Sequence, residues 1–403
     1  MLPKMRRQFL IAIVAVCAIY SYVYTMFRAD VRAGKPDFVI FQTAGTMART
    51  GQGQFLYDVP HQHAVQRSIV GEVPERAIPL LFNHAPFEAL AFAPFSALRF
   101  EHAYLAWYVV NVCLILLFSW LTVTRLPSLS KYTAAFGIAS AVFYGTLMTM
   151  VQGQDSAVLL CLLAGFFLAL LTKNDFGAGA LLAFATIKPH LILPELLLLL
   201  VLRRWRALFS FAGALAILLF VSGLLLGFSA VVSYPAFLLD FGKGGAAAQL
   251  GVYPQVMASL RGLLLMGGVD APLTSIFVIG GLILAAFGLA VLAQRAGNEQ
   301  SLRLLSGAVV CGSIFFSVHV NPHDLVLLLF PIAIALSESR SDGLSRRTRL
   351  ALIALSAAVY LSPLLYLNFQ LMAVLILALG VTLAYAAVST AHTTSPALAA
   401  AES

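Results

Sequence analysis

The chain has 403 residues, of which 61% are apolar and 10% are charged, and its mean hydropathy is +0.92. A soluble domain carries about a quarter of charged residues, so this composition excludes one. Runs of about 17 to 23 apolar residues, each long enough to cross about 30 Å of hydrocarbon, predict an all-α polytopic membrane protein instead.

The formal net charge of +8 comes from basic residues in short connections between apolar runs. Such a distribution indicates membrane topology and argues against a nucleic-acid partner, because no basic domain stands outside the membrane. The cysteines lie within apolar runs and lack metal-binding spacing, so we expect neither a disulfide framework nor a metal site from them. They are Cys17, Cys113, Cys161 and Cys311.

The chain begins with a basic segment followed by an apolar run at residues 8–27. This run is too long for the apolar part of a signal peptide, and no small-residue cleavage site follows it. It therefore predicts an uncleaved signal anchor that starts in the cytoplasm. Residues 28–79 form the longest polar stretch, which we place outside, with a short interfacial helix at residues 38–48.

Residues 80–98 are apolar, but Pro86 and Pro94 interrupt them. They predict a broken or re-entrant segment packed against protein, within an outer loop of residues 28–100. Residues 176–202 predict two short helices bent at Lys188, because one straight span would place three following arginines outside. An outer loop is expected at residues 228–270.

The remaining spans make about 12 transmembrane helices with both termini in the cytoplasm. We predict one integral-membrane domain over residues 1–390 and a disordered cytoplasmic tail over residues 391–403. The further spans lie at 102–124, 132–150, 156–172, 207–227, 271–293, 304–320, 323–337, 350–367 and 370–389.

This topology, drawn from hydropathy and basic residues alone, brings the unusual polar residues to the outer face. They are Asp37, Gln152, Gln154, Asp155, Lys188, His190, Arg261, Asn321, His323 and Asp324. A charge at mid-bilayer costs about 3 kcal/mol, so a lysine in an apolar context needs a reason. An acid, several cations and amides at one membrane face suit a reaction on a lipid-borne phosphate.

Each of these residues also has a purely structural explanation. Asp37 could be a solvated acid or a helix cap, and Gln154 with Asp155 could cap the next span. Lys188 could extend to lipid headgroups, and Arg261 could bind lipid phosphate. His323 and Asp324 could simply begin a helix, and His84 and Glu88, four residues apart on one helical face, could pair structurally.

Six segments of the chain resemble glycosyltransferase family 87, whose members are multi-span enzymes of the GT-C class. They occur in the family's order and cover about residues 8–340, and one departure is His84-Ala85-Pro86, where the family more often has an aromatic residue and a second proline. The segments are DFVIFQTAGTMARTGQGQFLYD, HAPFEALAFAPFSAL, GQDSAVLLCLL, GAGALLAFATIKPHLILPELLLLLVLRRWRAL, QVMASLRGLL and NPHDLVLLLFP.

The resemblance implies a GT-C-like fold and transfer of a sugar from polyprenyl phosphate to an acceptor, with inversion, at the outer face of the cell (inner) membrane. Mannose and arabinose are both compatible with it, and so are glycolipid and glycan acceptors. The family's first-loop aspartate falls on Asp37 and its lysine before proline on Lys188. Its arginine falls on Arg261, and its late His-Asp pair on His323 and Asp324.

The chemistry of these residue types agrees with that assignment. A carboxylate in a partly dehydrated pocket suits the general base, so we expect Asp37 to be catalytic. Lys188, Arg261 and His323 are expected to bind the donor phosphate, whose charge grows in the transition state. Substrate contacts are expected from His84, Gln152, Gln154, Asp155, His190 and Asp324.

No cofactor is predicted, and no metal, because the outer acids are scattered along the sequence. A polytopic transporter or flippase for a lipid or solute is the main alternative. It would place charged groups near the bilayer midplane between related halves, and this chain has no visible internal repeat. A non-catalytic subunit of envelope assembly is a third reading.

Overall fold

The computed structural model describes residues 2–73, 80–243, 253–295, 298–341, 343–364 and 369–392, and within these ranges the chain is helical and has no strand. The α-helices are α1 (Leu2–Arg32), α2 (Val39–Arg49), α3 (Val59–Val70), α4 (Pro86–Phe92), α5 (Phe100–Arg125), α6 (Thr133–Val142), α7 (Tyr144–Gln152), α8 (Ser156–Leu171), α9 (Asp175–Phe184), α10 (Leu193–Val201), α11 (Trp205–Leu226), α12 (Phe228–Lys243), α13 (Leu260–Met266), α14 (Ala271–Arg295), α15 (Glu299–Phe315), α16 (Leu329–Glu338), α17 (Arg346–Leu361) and α18 (Phe369–His392).

Five of the described helices are long and apolar enough to cross a membrane, namely α1, α5, α11, α14 and α18. A bent helix pair raises the count to six if the pair forms one span. The protein is therefore a multi-pass membrane protein built from helices. A total of about 12 spans stays a prediction, since several predicted spans are shorter helices here.

The span predicted at residues 132–150 is not one continuous helix. The chain bends by 54° between α6 and α7, where Phe143 takes an extended conformation with φ −61° and ψ 137°. The bend lays α7 against a 3-10 helix at Pro322–Leu328. At Gly145 in α7 an added Cβ would stand 2.3 Å from the Val326 backbone nitrogen, so only glycine allows this approach.

The first polar stretch and the broken segment pack closely together. The predicted helix at residues 38–48 is confirmed as α2, and the segment at residues 80–98 holds only the seven-residue α4 and a 3-10 turn. An added Cβ at Gly45 of α2 would lie 2.4 Å from the Phe92 carbonyl oxygen of α4. The broken segment is thus packed against protein, as predicted.

The predicted break at residues 188–190 is confirmed. α9 ends in a 3-10 turn at Ala185–Ile187, and a second turn at Pro189–Leu191 precedes α10. Pro189 restricts the residue before it, and Lys188 accordingly leaves the helical region with φ −126° and ψ 78°. α9 packs on α11, and Lys188, which lies between α9 and α10, is buried.

Three further predictions change in the structure. Residues 228–270 are not simply a loop, because the apolar residues after Gly227 form α12, and α13 follows at Leu260–Met266. The helix predicted at 304–320 lies five residues earlier, since α15 runs from Glu299 to Phe315. The span predicted at 323–337 holds the 3-10 helix followed by the ten-residue α16. The tail predicted at residues 391–403 overlaps α18, which ends at His392, and residues 393–403 are outside the described residues.

Candidate active site

A four-residue turn from Gln152 to Asp155, which joins α7 to α8, lies at the centre of the candidate site. Gly153 has φ +68°, and a Cβ there would stand 2.8 Å from atoms of both Phe38 and Tyr104. Trp107 Nε1 donates a hydrogen bond to the Gly153 carbonyl at 3.0 Å. Close packing and a hydrogen bond therefore hold the turn in place.

Buried charges meet on one side of this turn. Lys188 Nζ lies 3.0 Å from Asp155 Oδ1, 2.6 Å from Asp324 Oδ1 and 2.8 Å from Ser156 Oγ. Ser156 also donates to Asp324 Oδ1 at 3.0 Å. The Lys188 ammonium donates hydrogen bonds to Ser156 and Asp324, and its contact with Asp155 is an ion pair. Two carboxylates and a hydroxyl compensate the ammonium for its lost hydration, so Lys188 can be buried.

A second ionic group shares Asp155. His84 Nδ1 lies 2.9 Å from Glu88 Oε2 and 3.4 Å from Asp155 Oδ2, and all three side chains are buried. Burial lowers the pKa of His84, but the charges of Glu88 and Asp155 outweigh burial and raise it to about 10. Burial raises the pKa of Glu88 to about 7 against the opposing charge of His84.

Asp155 itself is held ionised by its neighbours. Burial alone would raise the pKa of its carboxyl, yet the charges of Lys188 and His84 keep that pKa well below its usual range. Asp155 thus joins the two ionic groups into one buried cluster of His84, Glu88, Asp155, Lys188 and Asp324, which we call the charged centre.

The predicted base lies beside this centre and is closer to solvent. Asp37 is half-buried, and its Oδ2 accepts a hydrogen bond of 3.1 Å from Gln154 Nε2. The next residue, Phe38, donates its backbone N–H to the Gln152 carbonyl at 2.9 Å. The first polar stretch is therefore fastened to the central turn at two adjacent positions.

The late His-Asp pair reaches the same turn from the other end of the chain. His323 Nδ1 lies 2.6 Å from Gln152 Oε1, and Thr149 donates to the His323 carbonyl at 3.1 Å. Asp324 Oδ2 accepts the backbone N–H of Asn321 at 2.9 Å, so this acid also caps the start of its helix. Asp324 therefore caps a helix through one carboxylate oxygen and contacts Lys188 through the other.

The other predicted residues lie at the edge of the site. Arg261, half-buried, donates a 2.7 Å hydrogen bond from Nη1 to the Val318 carbonyl. The rings of His190 and His319 are 6.2 Å apart at their centroids. No ion pair links Arg261 to the charged centre among the described residues, so it stands apart from the other predicted phosphate ligands.

Sequence reasoning did not anticipate two parts of the site. Ser156, directly after the Gln-Asp pair, contacts both Lys188 and Asp324. Acids that are scattered along the sequence also meet in the folded chain, because ligand atoms of His84, Glu88 and Asp155 lie within 4.8 Å of one another. A buried acid four residues after a histidine was the one local signal.

The fold and this buried polar centre define a multi-pass helical membrane protein whose site joins residues far apart in the sequence. Residues 82–322 match the family model described as glycosyltransferase family 87. The chain belongs to glycosyltransferase family 87 and is therefore a glycosyltransferase. The matched residues include the central turn and Lys188, whereas Asp37, His323 and Asp324 lie outside them. The chain matches no curated protein and no solved structure.

Proposed function

We propose that this glycosyltransferase moves a mannose- or arabinose-type sugar from a polyprenyl-phosphate donor to a glycolipid or glycan acceptor, with inversion. The reaction takes place at the outer face of the cell (inner) membrane within a GT-C-like fold. The observation that carries the proposal is the place of Asp37, a half-buried acid bonded to Gln154 beside a fully buried charged centre. It is the acid of the site that combines solvent access with an orienting hydrogen bond.

Asp37 acts as the general base in a single displacement. The acceptor hydroxyl attacks the anomeric carbon on the face opposite the phosphate, and Asp37 takes the hydroxyl proton as the new bond forms. The bond from the anomeric carbon to the phosphate oxygen breaks, and polyprenyl phosphate leaves with the electron pair. Gln154 Nε2 fixes the orientation of the carboxylate for this step.

The leaving phosphate gains charge and needs cationic or N–H partners. Arg261 uses Nη1 on the Val318 carbonyl, and a guanidinium has five N–H donors in all, which suits bidentate binding of phosphate. His323 adds a ring beside Gln152. Lys188 contributes to phosphate binding by exchanging one of its present acceptors, Asp155 or Asp324, for a phosphate oxygen. Sugar contacts are proposed for His84, Gln152, Gln154, Asp155, His190 and Asp324.

The substitution Asp37→Asn tests the base. Loss of a general base lowers the rate by about 10²- to 10⁴-fold, and the neutral amide keeps the size of the side chain. Asp30→Asn is the matched control, because Asp30 is an exposed acid in the same stretch that pairs with Lys35 at 3.1 Å. Purified protein with a polyprenyl-phosphate sugar should lose transfer in Asp37→Asn, keep donor binding, and retain full activity in Asp30→Asn.

Unchanged transfer by Asp37→Asn would remove Asp37 as the base. The sugar and the acceptor follow from lipid analysis of a deletion strain, in which a precursor that lacks one sugar should accumulate. The membrane face has its own test. A topology reporter fused after Arg204 should read cytoplasmic, and an outside reading would contradict the proposed orientation of the hairpin at residues 176–202.

A further inference from the structure

Three buried side chains from two distant segments direct one ligand-type atom each to a common point. His84 and Glu88 come from the broken segment and Asp155 from the central turn, and their ligand atoms all lie within 4.8 Å of one another. The His84 nitrogen is 2.9 Å from the Glu88 oxygen and 3.4 Å from the Asp155 oxygen. Atoms about 2.1 Å from a metal ion lie about 3.0 Å apart at a right angle and about 3.4 Å apart at the tetrahedral angle.

Hydrogen bonding within this group is incomplete. His84 Nδ1, Glu88 Oε2 and both oxygens of Asp155 are buried, and within the described residues none of them makes a contact with hydrogen-bond geometry. One proton on Nδ1 can point at one carboxylate only, whereas a metal ion at that position binds both. Buried polar atoms that lack hydrogen-bond partners in this way indicate that an ion or a water molecule binds between them.

The charge of the surrounding centre favours a cation. Glu88, Asp155 and Asp324 bring three carboxylates to a buried region in which Lys188 is the one ammonium among the described contacts. A histidine that ligates a metal does so as the neutral imidazole, and with His84 in that form two of the three negative charges have no cation beside them. Buried charges are stable only when they are paired or coordinate a metal. A single divalent ion balances these charges.

The frame around His84 holds the ring in place. The ring packs against Phe41 and Phe82, with centroids 5.0 Å and 5.5 Å away. Tyr57 donates a 2.7 Å hydrogen bond to the His84 carbonyl. Such supporting contacts orient the first ligands of a metal site and prevent the imidazole from turning away.

We infer that His84, Glu88 and Asp155 bind a divalent first-row metal ion, Mn²⁺ or Zn²⁺, that fastens the broken segment to the central turn. One imidazole and two carboxylates form a mixed nitrogen and oxygen ligand set suited to these ions, with water completing the coordination. The ion takes the place of a proton between His84 and Glu88. It also draws Asp155 away from Lys188, which releases the ammonium toward the donor phosphate. Metal binding itself does not depend on which sugar is transferred.

Metal content of the full-length protein in detergent tests the inference directly. The protein is stripped with EDTA, dialysed against Mn²⁺ or Zn²⁺, passed over a desalting column and measured by mass spectrometry of the elements. The wild type should retain about one ion per chain, and Glu88→Gln and His84→Asn should each lose it. Glu101→Gln and His102→Asn are the matched controls, because they change the same residue types at the start of α5 and should keep the ion.

Thermal unfolding gives a second measurement on the same samples. Added metal should raise the unfolding midpoint of the wild type and of both controls, and leave Glu88→Gln unchanged. A wild-type protein that retains no metal and shows no shift would overturn the inference, whatever the variants do. Equal metal content in the wild type and Glu88→Gln would overturn it too. Transfer activity enters neither readout, so a failure here is distinct from a failure of the Asp37 assignment.

Discussion

Removal of the buried ammonium by Lys188→Met provides a quantitative test of the charged centre. Methionine fills a similar volume but supplies no donor, so Asp155 and Asp324 lose contacts of 3.0 Å and 2.6 Å at once. Breaking one buried ion pair by deleting a partner costs about 3 to 5 kcal/mol. We expect a loss of unfolding free energy in that range. The loss stays near or below the upper end because Asp155 or Asp324 can take up a proton and become neutral.

The matched control is Lys35→Met. Lys35 pairs with Asp30 at 3.1 Å, but these side chains are 37% and 54% exposed. Exposed pairs of this kind contribute about 0 to 1 kcal/mol, so the same chemical change should have little effect there. Denaturation in detergent, followed by tryptophan fluorescence, measures both variants, with EDTA present so that no metal ion compensates for the lost charge.

A double-mutant cycle separates charge from packing. Lys188→Met combined with Asp324→Asn leaves only one of the two carboxylates that contact Lys188, so the double variant should be more stable than the sum of the single losses predicts. Strict additivity would refute the argument that these groups form one electrostatic unit. If Lys188→Met lowered the unfolding free energy by less than about 1 kcal/mol, the cost expected for breaking a buried ion pair would be refuted.

The pH dependence of that variant has a defined sign. In the wild type the pKa of Asp155 is depressed, so its contribution to stability is present above the unfolded pKa and is lost as the pH falls. Without Lys188, burial is opposed by His84 alone, so the pKa of Asp155 is higher than in the wild type and protonation destabilises the folded state less. The difference in unfolding free energy between the wild type and Lys188→Met should therefore become smaller as the pH falls. A difference that grows would contradict the conclusion that Lys188 keeps Asp155 ionised.

Three further tests concern the packing of the central turn, the packing of α9 on α11 and the orientation of Asp37. Gly153→Ala and Gly51→Ala both force alanine into φ near +70°, which costs about 1 to 2 kcal/mol of unfolding free energy in each variant. Only the Cβ added at Gly153 meets a neighbour within 4 Å, so thermal unfolding should show a further loss of about 1 to 3 kcal/mol in Gly153→Ala. Equal losses in the two variants would contradict the close packing of the turn. Gly179→Ala brings a Cβ within 2.1 Å of a backbone oxygen of α11 and should destabilise the folded protein. Gly213→Ala, at an exposed position of α11, should stabilise the protein by up to about 1 kcal/mol. If Gly179→Ala were the more stable of the two variants in the same assay, the α9–α11 contact would be refuted. Gln154→Ala removes the hydrogen bond to Asp37, the proposed base, and should lower kcat/KM about 10- to 100-fold, a smaller loss than in Asp37→Asn. An unchanged value would show that this bond does not orient the Asp37 carboxylate.

Hydropathy and basic residues predicted much of the secondary structure. The long helices α1, α5, α11, α14 and α18 follow from apolar runs that need no tertiary partner to be recognised. The break at Lys188 was predictable because proline and the positive-inside rule point to the same residue. The bend at Phe143 was not, since it depends on the close approach of Gly145 to a segment about 180 residues later.

The composition of the site was also partly predictable. A charge in an apolar context indicated that Lys188 has a partner, but the sequence could not identify its partners. Asp155 and Asp324 are found only when the chain is folded, because the contact spans 136 residues between Lys188 and Asp324. The same holds for the approach of Glu88 to Asp155, since nothing local relates a broken segment to a turn between two later helices.

The central turn also sets the order in which the protein can mature. Its residues bind partners from the first polar stretch, the broken segment, the hairpin and finally His323 and Asp324. A nascent chain that has emerged only as far as α15 holds Lys188 with a single acid. Biogenesis of the charged centre must therefore wait until the segment after α15 is inserted, and products truncated before it should be recognised as incomplete by membrane quality control.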